Sequence, residues 1–416
     1  MHLTADEQSI LDGDVSDAAA TAMRILVRIG DILGAKRFVE VSSAHIDGCL
    51  YHGDGGVEFA ELLVAGGGRV AVPTTLNVGA LDLLHPELIR EEPHRASMAR
   101  RQMEAYQSMG CKPTWTCAPY QAGHRPGVGE QVAWGESNAV AFVNSVLGAR
   151  TNRYGDYLDA CCALTGRAPL TGLHLEENRF ATIVVDAEGL SDSLKSNDAF
   201  YPVFGTWLGR VVESDVAAIV GLPATTTEDQ LKAVSAAAAS TGAVGLFHVV
   251  GVTPDAPDLE TALGGKDPKR IIRLQISDIL NTREGLSTCS ASEIDAVAVG
   301  SPHFSVSEFD ELDRLIAGKK LSIPFYVCTG RGIAEQLEQR RLLSKLRDSG
   351  VTIVVDTCVV VTPILPGSNG VLMTNSGKFA HYAPSNTGYE VVYGTLEDCV
   401  LSALTGKLQR DESIWR

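Results

Sequence analysis

Apolar and polar positions along this chain follow two periods, one of helices and one of strands. Thr4 followed three residues later by Glu7 has the form of a capping box and opens a short helix, and Ser16 to Ile32 carries a helical pattern that closes near Gly34. Phe38 to Ser42 then reads as a buried strand, Val57 to Val64 as a helix stopped by Gly66, Gly67 and Gly68, and Arg69 to Thr75 as a further strand. The alternation returns downstream. Strand-like runs at Ala181–Val185, Ala217–Gly221, Val244–Val252, Ala296–Gly300, Pro324–Cys328 and Thr352–Val361 are separated by helical stretches such as Glu228–Ser240 and Gly332–Ser349. Such alternation predicts an α/β fold with mainly parallel sheets, whose ligands meet the carboxyl ends of the strands. The pattern is interrupted near Arg167–Pro169 and Gly318–Lys320, which sets expected lobes of 1–168, 169–319 and 320–416 within one module, 1–416.

Composition narrows the partners. With 35 Lys plus Arg against 51 Asp plus Glu the net charge is −16, and no block of basic residues offers a footprint for nucleic acid or an anionic membrane surface. The first residues lack a basic stretch followed by an apolar run, so a cytoplasmic location is expected. The most apolar segment, Val351–Met373, is interrupted by Asp356, Pro363, Pro366 and Gly367, which excludes a membrane-spanning helix there. The glycine-rich segments match neither phosphate-cradling nor dinucleotide fingerprints, and no Gly-x-Ser-x-Gly elbow occurs.

Polar clusters that follow strand-like runs are the places to look for chemistry: Ser42–Cys49, Pro73–Asn77, Thr116–Tyr120, Gly300–His303 and Asp356–Cys358. The nine cysteines form no Cys-x-x-Cys and suit reduced thiols rather than a disulfide framework. Cys117 and Cys358 sit beside small or hydroxylated residues at loops or strand ends, where thiolates could reach a shared metal. Cys161, Cys162, Cys328 and Cys399 read as core hydrophobes.

These segments, together with Trp134–Val140, Asn144–Asn152, Gly251–Pro254 and Lys378–Tyr382, make the chain resemble the large, catalytic subunit of the aconitase X family over almost its whole length. The resemblance implies an iron–sulfur hydro-lyase built from several aconitase-like α/β lobes. The swivelling small domain would be absent from this chain and supplied as a separate small subunit. It implies dehydration of cis-3-hydroxy-L-proline to Δ1-pyrroline-2-carboxylate, or alternatively of mevalonate 5-phosphate. The family's cluster cysteines fall on Cys117 and Cys358. Its third ligand position is occupied by Ser301, a harder donor than a thiolate, so that Ser301 or, in its place, Cys289 would complete the set. Cluster nuclearity stays open, with a 2Fe–2S form in range. Carried over by position, substrate contacts fall on Gly48, Cys49, Asn77, Val78 and His45, and catalytic roles on Glu136, Ser137 and Lys378. Lys378 would pair with a substrate carboxylate and Glu136 with a ring ammonium or hydroxyl. The proton-abstracting base is expected on the small subunit. A non-catalytic iron–sulfur redox sensor is the competing class, against which these substrate-binding residue types argue.

Overall fold

The computed structural model describes residues 1–415; Arg416, the end of the expected module, lies outside them. The chain opens as the sequence predicts. Thr4 and Glu7 form a reciprocal capping box on the helix Ala5–Asp12, and the Ser16 hydroxyl accepts from Ala19 N–H at the start of Asp17–Ile32.

Three groups of strands follow in chain order. In the first, β1 (Phe38–Glu40) pairs antiparallel with β5 (Arg167–Pro169), while β2 (Ala44–Ile46), β3 (Thr74–Leu76) and β4 (Ala133–Trp134) make a parallel sheet ordered β3-β2-β4. The second holds β6 (Ile183–Asp186), β7 (Ala217–Val220), β8 (Phe247–Val249) and β9 (Arg270–Arg273), all parallel, ordered β8-β7-β6-β9. The third holds β10 (Ala296–Val299), β11 (Phe325–Thr329), β12 (Val351–Val355), β13 (Val371–Thr374) and β14 (Glu390–Tyr393), parallel and ordered β12-β11-β10-β13-β14. Helices cover the sheets and bury separate apolar clusters for the first and third groups. In the second, Phe200–Val212 lies against Glu228–Thr241, and glycines allow the contact: a Cβ on Gly205 or Gly209 would lie 2.7 or 2.5 Å from the carbonyl oxygens of Val234 and Ala238. Among the described residues, no helix is long and apolar enough to cross a membrane.

The structure corrects several expected elements. The strand expected over Arg69–Thr75 is confined to Thr74–Leu76, because Val70 and Ala71 donate their N–H groups to the helix-end carbonyls of Met109 and Ala163 instead of to a sheet. Gly332–Ser349 is two helices, Arg331–Gln339 and Leu342–Ser349, separated where Arg341 takes φ +57°. The run Thr352–Val361 stops as a strand at Val355, since Asp356 turns the chain with φ +65°. Arg167–Pro169 is itself strand β5, and Gly318–Lys320 is the turn before β11, a strand that pairs with β10 in the same sheet.

Sheet order locates the crevices. The strand connections reverse direction between β2 and β4 in the first sheet and between β10 and β13 in the third, and at such switch points the loops beyond the carboxyl ends part to admit a ligand. Between the second and third groups, Lys232 is 2 % exposed and reaches Asp229 on its own helix at 2.8 Å, Glu308 on the helix Val306–Ile316, and the His303 carbonyl. Removing one partner of such a cluster leaves charge without compensation. Lys232→Ala is therefore expected to lower unfolding stability by about 3 kcal/mol, read as a drop in the urea midpoint; an unchanged midpoint would show that the cluster contributes nothing.

Candidate active site

At the carboxyl edge of the three-stranded sheet the ladder runs on past its last strand residues. Asn77 N–H donates to Ile46 O and Gly135 N–H to His45 O, both at 2.9 Å, which brings Asp47, Asn77 and Glu136 to one edge. Asn77 Nδ2 donates to Asp47 Oδ1. Beneath them the Cys49 thiol lies 3.4 Å from both the Ile46 and Asn77 carbonyl oxygens and 3.9 Å from that of Val78, so Cys49 and the buried Val78 tie the end of β2 to the end of β3. Gly48 is held on both sides, its N–H directed at Asp159 and its carbonyl accepting from Gln102 Nε2 at 2.7 Å.

The carboxyls of this floor have different partners. Asp159, buried at the start of the helix Leu158–Thr165, accepts from the backbone N–H groups of Asp47 (2.6 Å), Ala160 (2.7 Å) and, at longer range, Gly48; burial still raises its pKa to about 6. Asp47 keeps partial exposure, yet desolvation and then the charges of Glu136, Asp156 and Asp159 raise its pKa well above the carboxylate range. Glu136 caps the helix Ser137–Ser145, accepting from Ala139 N–H at 2.7 Å with one oxygen, and binds Lys378 Nζ at 2.6 Å with the other. Burial opposes the Lys378 charge, but Glu136 outweighs it and the ammonium is held with a raised pKa. Expected at opposite ends of a substrate, the two side chains thus hold each other and join the two switch points. Ser137, half-buried, is the first residue of the Glu136-capped helix.

His45 lies one row below the edge. Its Nδ1 is 2.9 Å from Thr75 Oγ1, which is also 2.7 Å from His124 Nδ1, and one hydroxyl proton serves only one of the two rings. Burial lowers both imidazoles, His124 to about 4, so both are neutral.

The cysteine side of the site is fixed by His303. Its Nε2 faces the Thr357 carbonyl at 3.2 Å, an oxygen that only accepts, so Nε2 carries the proton and Nδ1 accepts from the Thr116 hydroxyl at 2.9 Å. Thr116 in turn accepts from Ala118 N–H, and His303 N–H points at Cys117 Sγ at 3.4 Å. One fully buried ring thereby pins the residues that precede Cys117 and Cys358, and burial lowers its pKa to about 4. Cys358 has a lowered pKa, chiefly through a hydrogen bond from the Cys328 thiol and also through Lys378 and the Ser301 hydroxyl, whereas burial pushes Cys117 up to about 12. The turn carrying Cys358 is held by Arg331, on the helix after β11, which pairs with Asp356, and is clasped by the first lobe: Asp356 accepts from Leu83 N–H, its carbonyl accepts from Gly79 N–H, and Asp82 accepts from Val355 N–H.

The structure thus brings Cys117, Cys358 and Ser301 together with Lys378, Glu136, Asn77, Gly48, Cys49, Val78 and His45 nearby. It does not bring Cys289. That residue sits beside Glu390 and Arg410 at the amino end of β14, the opposite edge and opposite end of the sheet from Cys358. Cys328, Cys161, Cys162 and Cys399 are buried as core residues, although Cys328 also abuts Cys358. Two buried thiols suit a soft metal–sulfur group, and the Ser301 hydroxyl hydrogen-bonds the Cys358 sulfur beside them; among the described residues no set of three His, Cys, Asp or Glu closes a cage. Sequence reasoning missed Asp47 and Asp159 as site residues. The signals available were the place of Asp47 in the polar cluster Ser42–Cys49 and that of Asp159 beside the apolar run Ala160–Leu164.

Comparison with known proteins gives one consistent picture. Three family profiles match in order: Aconitase X first domain over 1–177, second domain over 181–284 and third domain over 294–405. The chain is 41 % identical to a cis-3-hydroxy-L-proline dehydratase of Pseudomonas aeruginosa over 99 % of its length and 72 % of that protein's. It is 35 % identical to a phosphomevalonate dehydratase large subunit of Methanosarcina mazei over 98 % of both. Among solved structures it is similar to aconitase X of Thermococcus kodakaraensis in its holo-form, with a TM-score of 0.87, 34 % identity and coverage of 97 % of this chain and 100 % of that one.

The His303 clamp has a measurable consequence. His303→Leu fills a similar volume but strands the Thr116 hydroxyl and the Thr357 carbonyl, at about 1–3 kcal/mol for each buried group. The expected result is a lower denaturation midpoint together with loss of iron uptake; full stability and uptake would show that the ring does not hold the cysteines.

Proposed function

Because this chain belongs to the aconitase X family, we propose that it is the large, catalytic subunit of a hydro-lyase that dehydrates cis-3-hydroxy-L-proline to Δ1-pyrroline-2-carboxylate. The observation that carries this reading is the Lys378–Glu136 pair across the two switch points, beside Cys117 and Cys358. It supplies one cation for a small carboxylate and one fixed anion for a ring ammonium, which is the charge pattern of an imino acid. The naming of the Pseudomonas relative supports the same substrate.

In this reading Lys378, held charged by Glu136, draws the substrate carboxylate to the floor. Ser137 offers a hydroxyl at the positive end of its helix. The Asn77 side-chain oxygen Oδ1, buried and without a hydrogen-bond partner among the described residues, would accept from the ring nitrogen. An iron–sulfur cluster held by Cys117, Cys358 and Ser301 would supply a Lewis acid for the leaving hydroxyl. The base that takes the proton alpha to the carboxylate belongs to a separate small subunit bearing the swivelling domain, a partner supported by the large-subunit name of the Methanosarcina relative. The whole of 1–416 would act as one module in the cytoplasm.

A second reading is the large subunit of a mevalonate 5-phosphate dehydratase. It is favoured by the near-complete mutual coverage with the Methanosarcina protein and by Arg153, an exposed cation facing Glu136 and Tyr382 at the rim. An anaerobic assay of the chain with its small subunit on both substrates separates the two. Turnover of cis-3-hydroxy-L-proline is expected; turnover of the phosphate alone would overturn the first reading in favour of the second. Cys117→Ala and Cys358→Ala are each expected to lose iron and turnover while melting near the parent, and full iron content in either would refute that ligand.

A further inference from the structure

Three carboxyls share the floor of the site, and only one of them is free to carry a proton toward it. Glu136 has both oxygens committed, one to the Lys378 ammonium and one to Ala139 N–H. Asp159 spreads three backbone N–H donors over its two oxygens, an arrangement that favours the anion. Asp47 differs from both. Its Oδ1 accepts from Asn77 Nδ2, and its Oδ2 enters no hydrogen bond among the described residues. It lies in register between Asn77 and Glu136 at the carboxyl edge and keeps partial exposure there. The titratable groups facing it are Glu136, Asp156, Asp159 and the Cys49 thiol, with Lys378 one residue beyond, bound to Glu136. Three carboxyls, an uncharged thiol and no direct cation leave the neutral acid as the form that costs least.

We propose that the Asp47 carboxyl is a catalytic acid that delivers the proton turning the departing hydroxyl into water. The inference deepens the dehydratase reading and rests on it. The step balances: the base removes the proton alpha to the carboxylate, that electron pair forms the double bond, and the carbon–oxygen bond breaks. The hydroxyl leaves with the Asp47 proton as water, Asp47 remains as a carboxylate on Asn77 Nδ2, and solvent reprotonates it before the next turnover. Developing negative charge on the leaving oxygen is thereby met by a donor rather than by a like-charged carboxylate.

The test is Asp47→Asn in the iron-loaded chain with its small subunit. The variant keeps size, neutrality and hydrogen bonding but has no acidic proton. With cis-3-hydroxy-L-proline, kcat is expected to fall about 10²–10⁴-fold while KM stays within about threefold, with iron content and melting temperature unchanged. The cis-3-chloro analogue, whose chloride needs no proton, is expected to be eliminated at close to the parental rate. Infrared spectroscopy at neutral pH should show a protonated carboxyl band that Asp47→Asn removes. Parental turnover of the hydroxy substrate by the variant, an equal loss on both substrates, or absence of the band would each overturn the proposal. A parent enzyme inactive on both substrates would instead overturn the functional reading, with the infrared band still deciding the state of Asp47.

Discussion

The site depends on a neutral histidine bonded on both sides. Cys117 and Cys358 come from distant parts of the chain, and what holds their loops side by side is the His303 ring between the Thr116 hydroxyl and the Thr357 carbonyl. A protonated ring could not accept from Thr116, so burial, which keeps the imidazole uncharged, is a condition of the geometry and not merely a result of it. The same segment carries Ser301 two residues earlier, and the His303 carbonyl accepts from Lys232. The position of the thiols is thereby tied to the packing of the second and third lobes. Bonds from the Gly79–Leu83 loop to Asp356 bind the first lobe to the same turn.

Around this anchor the fold sets out charge by strand order. Two parallel sheets present their switch points to one another, and a single ion pair, Lys378 with Glu136, spans them. The rest of the floor is acidic or neutral: Asp47, Asp159 and the Cys117 thiol from the first lobe, the Cys358 thiol and Ser301 from the third. An anionic substrate is attracted there only because Lys378 is kept charged and because not every carboxyl is ionised. The separation of proton states among neighbouring carboxyls follows from hydrogen-bond partners. Backbone N–H groups converge on one carboxyl, an ammonium on another, and an amide on the third.

Much of this was legible in the sequence, and the omissions have physical causes. The helix starts at Thr4 and Ser16 were readable because a cap is a local, side-chain-to-backbone interaction. The parallel sheets followed from apolar runs spaced by helices, and the loops beyond their carboxyl ends pointed to Asn77 and Ser301, whereas Glu136 and Lys378 came from the family resemblance. Arg69–Thr75 looked like a strand because of its apolar run Val70–Val72, but the Val70 and Ala71 N–H groups are taken by helix-end carbonyls, a distant pairing that periodicity does not carry. The breaks at Arg341 and Asp356 are residues with positive φ that are not glycine, so no breaker signalled them. Cys289 looked equivalent to other cysteines until sheet order placed it at the far edge. Asp47 stood in a visible motif, but its missing partner is a property of three dimensions.

In the proposed enzyme, His303 would hold together a metal–sulfur site made by Cys117, Cys358 and Ser301. Iron K-edge X-ray absorption on the anaerobically loaded chain tests it most directly. A sulfur-rich shell with one light atom from the chain is expected, together with loss of the light-atom contribution in Ser301→Ala. A shell of oxygen and nitrogen only, or a sulfur shell unchanged by substitution of Cys117 and Cys358, would contradict it.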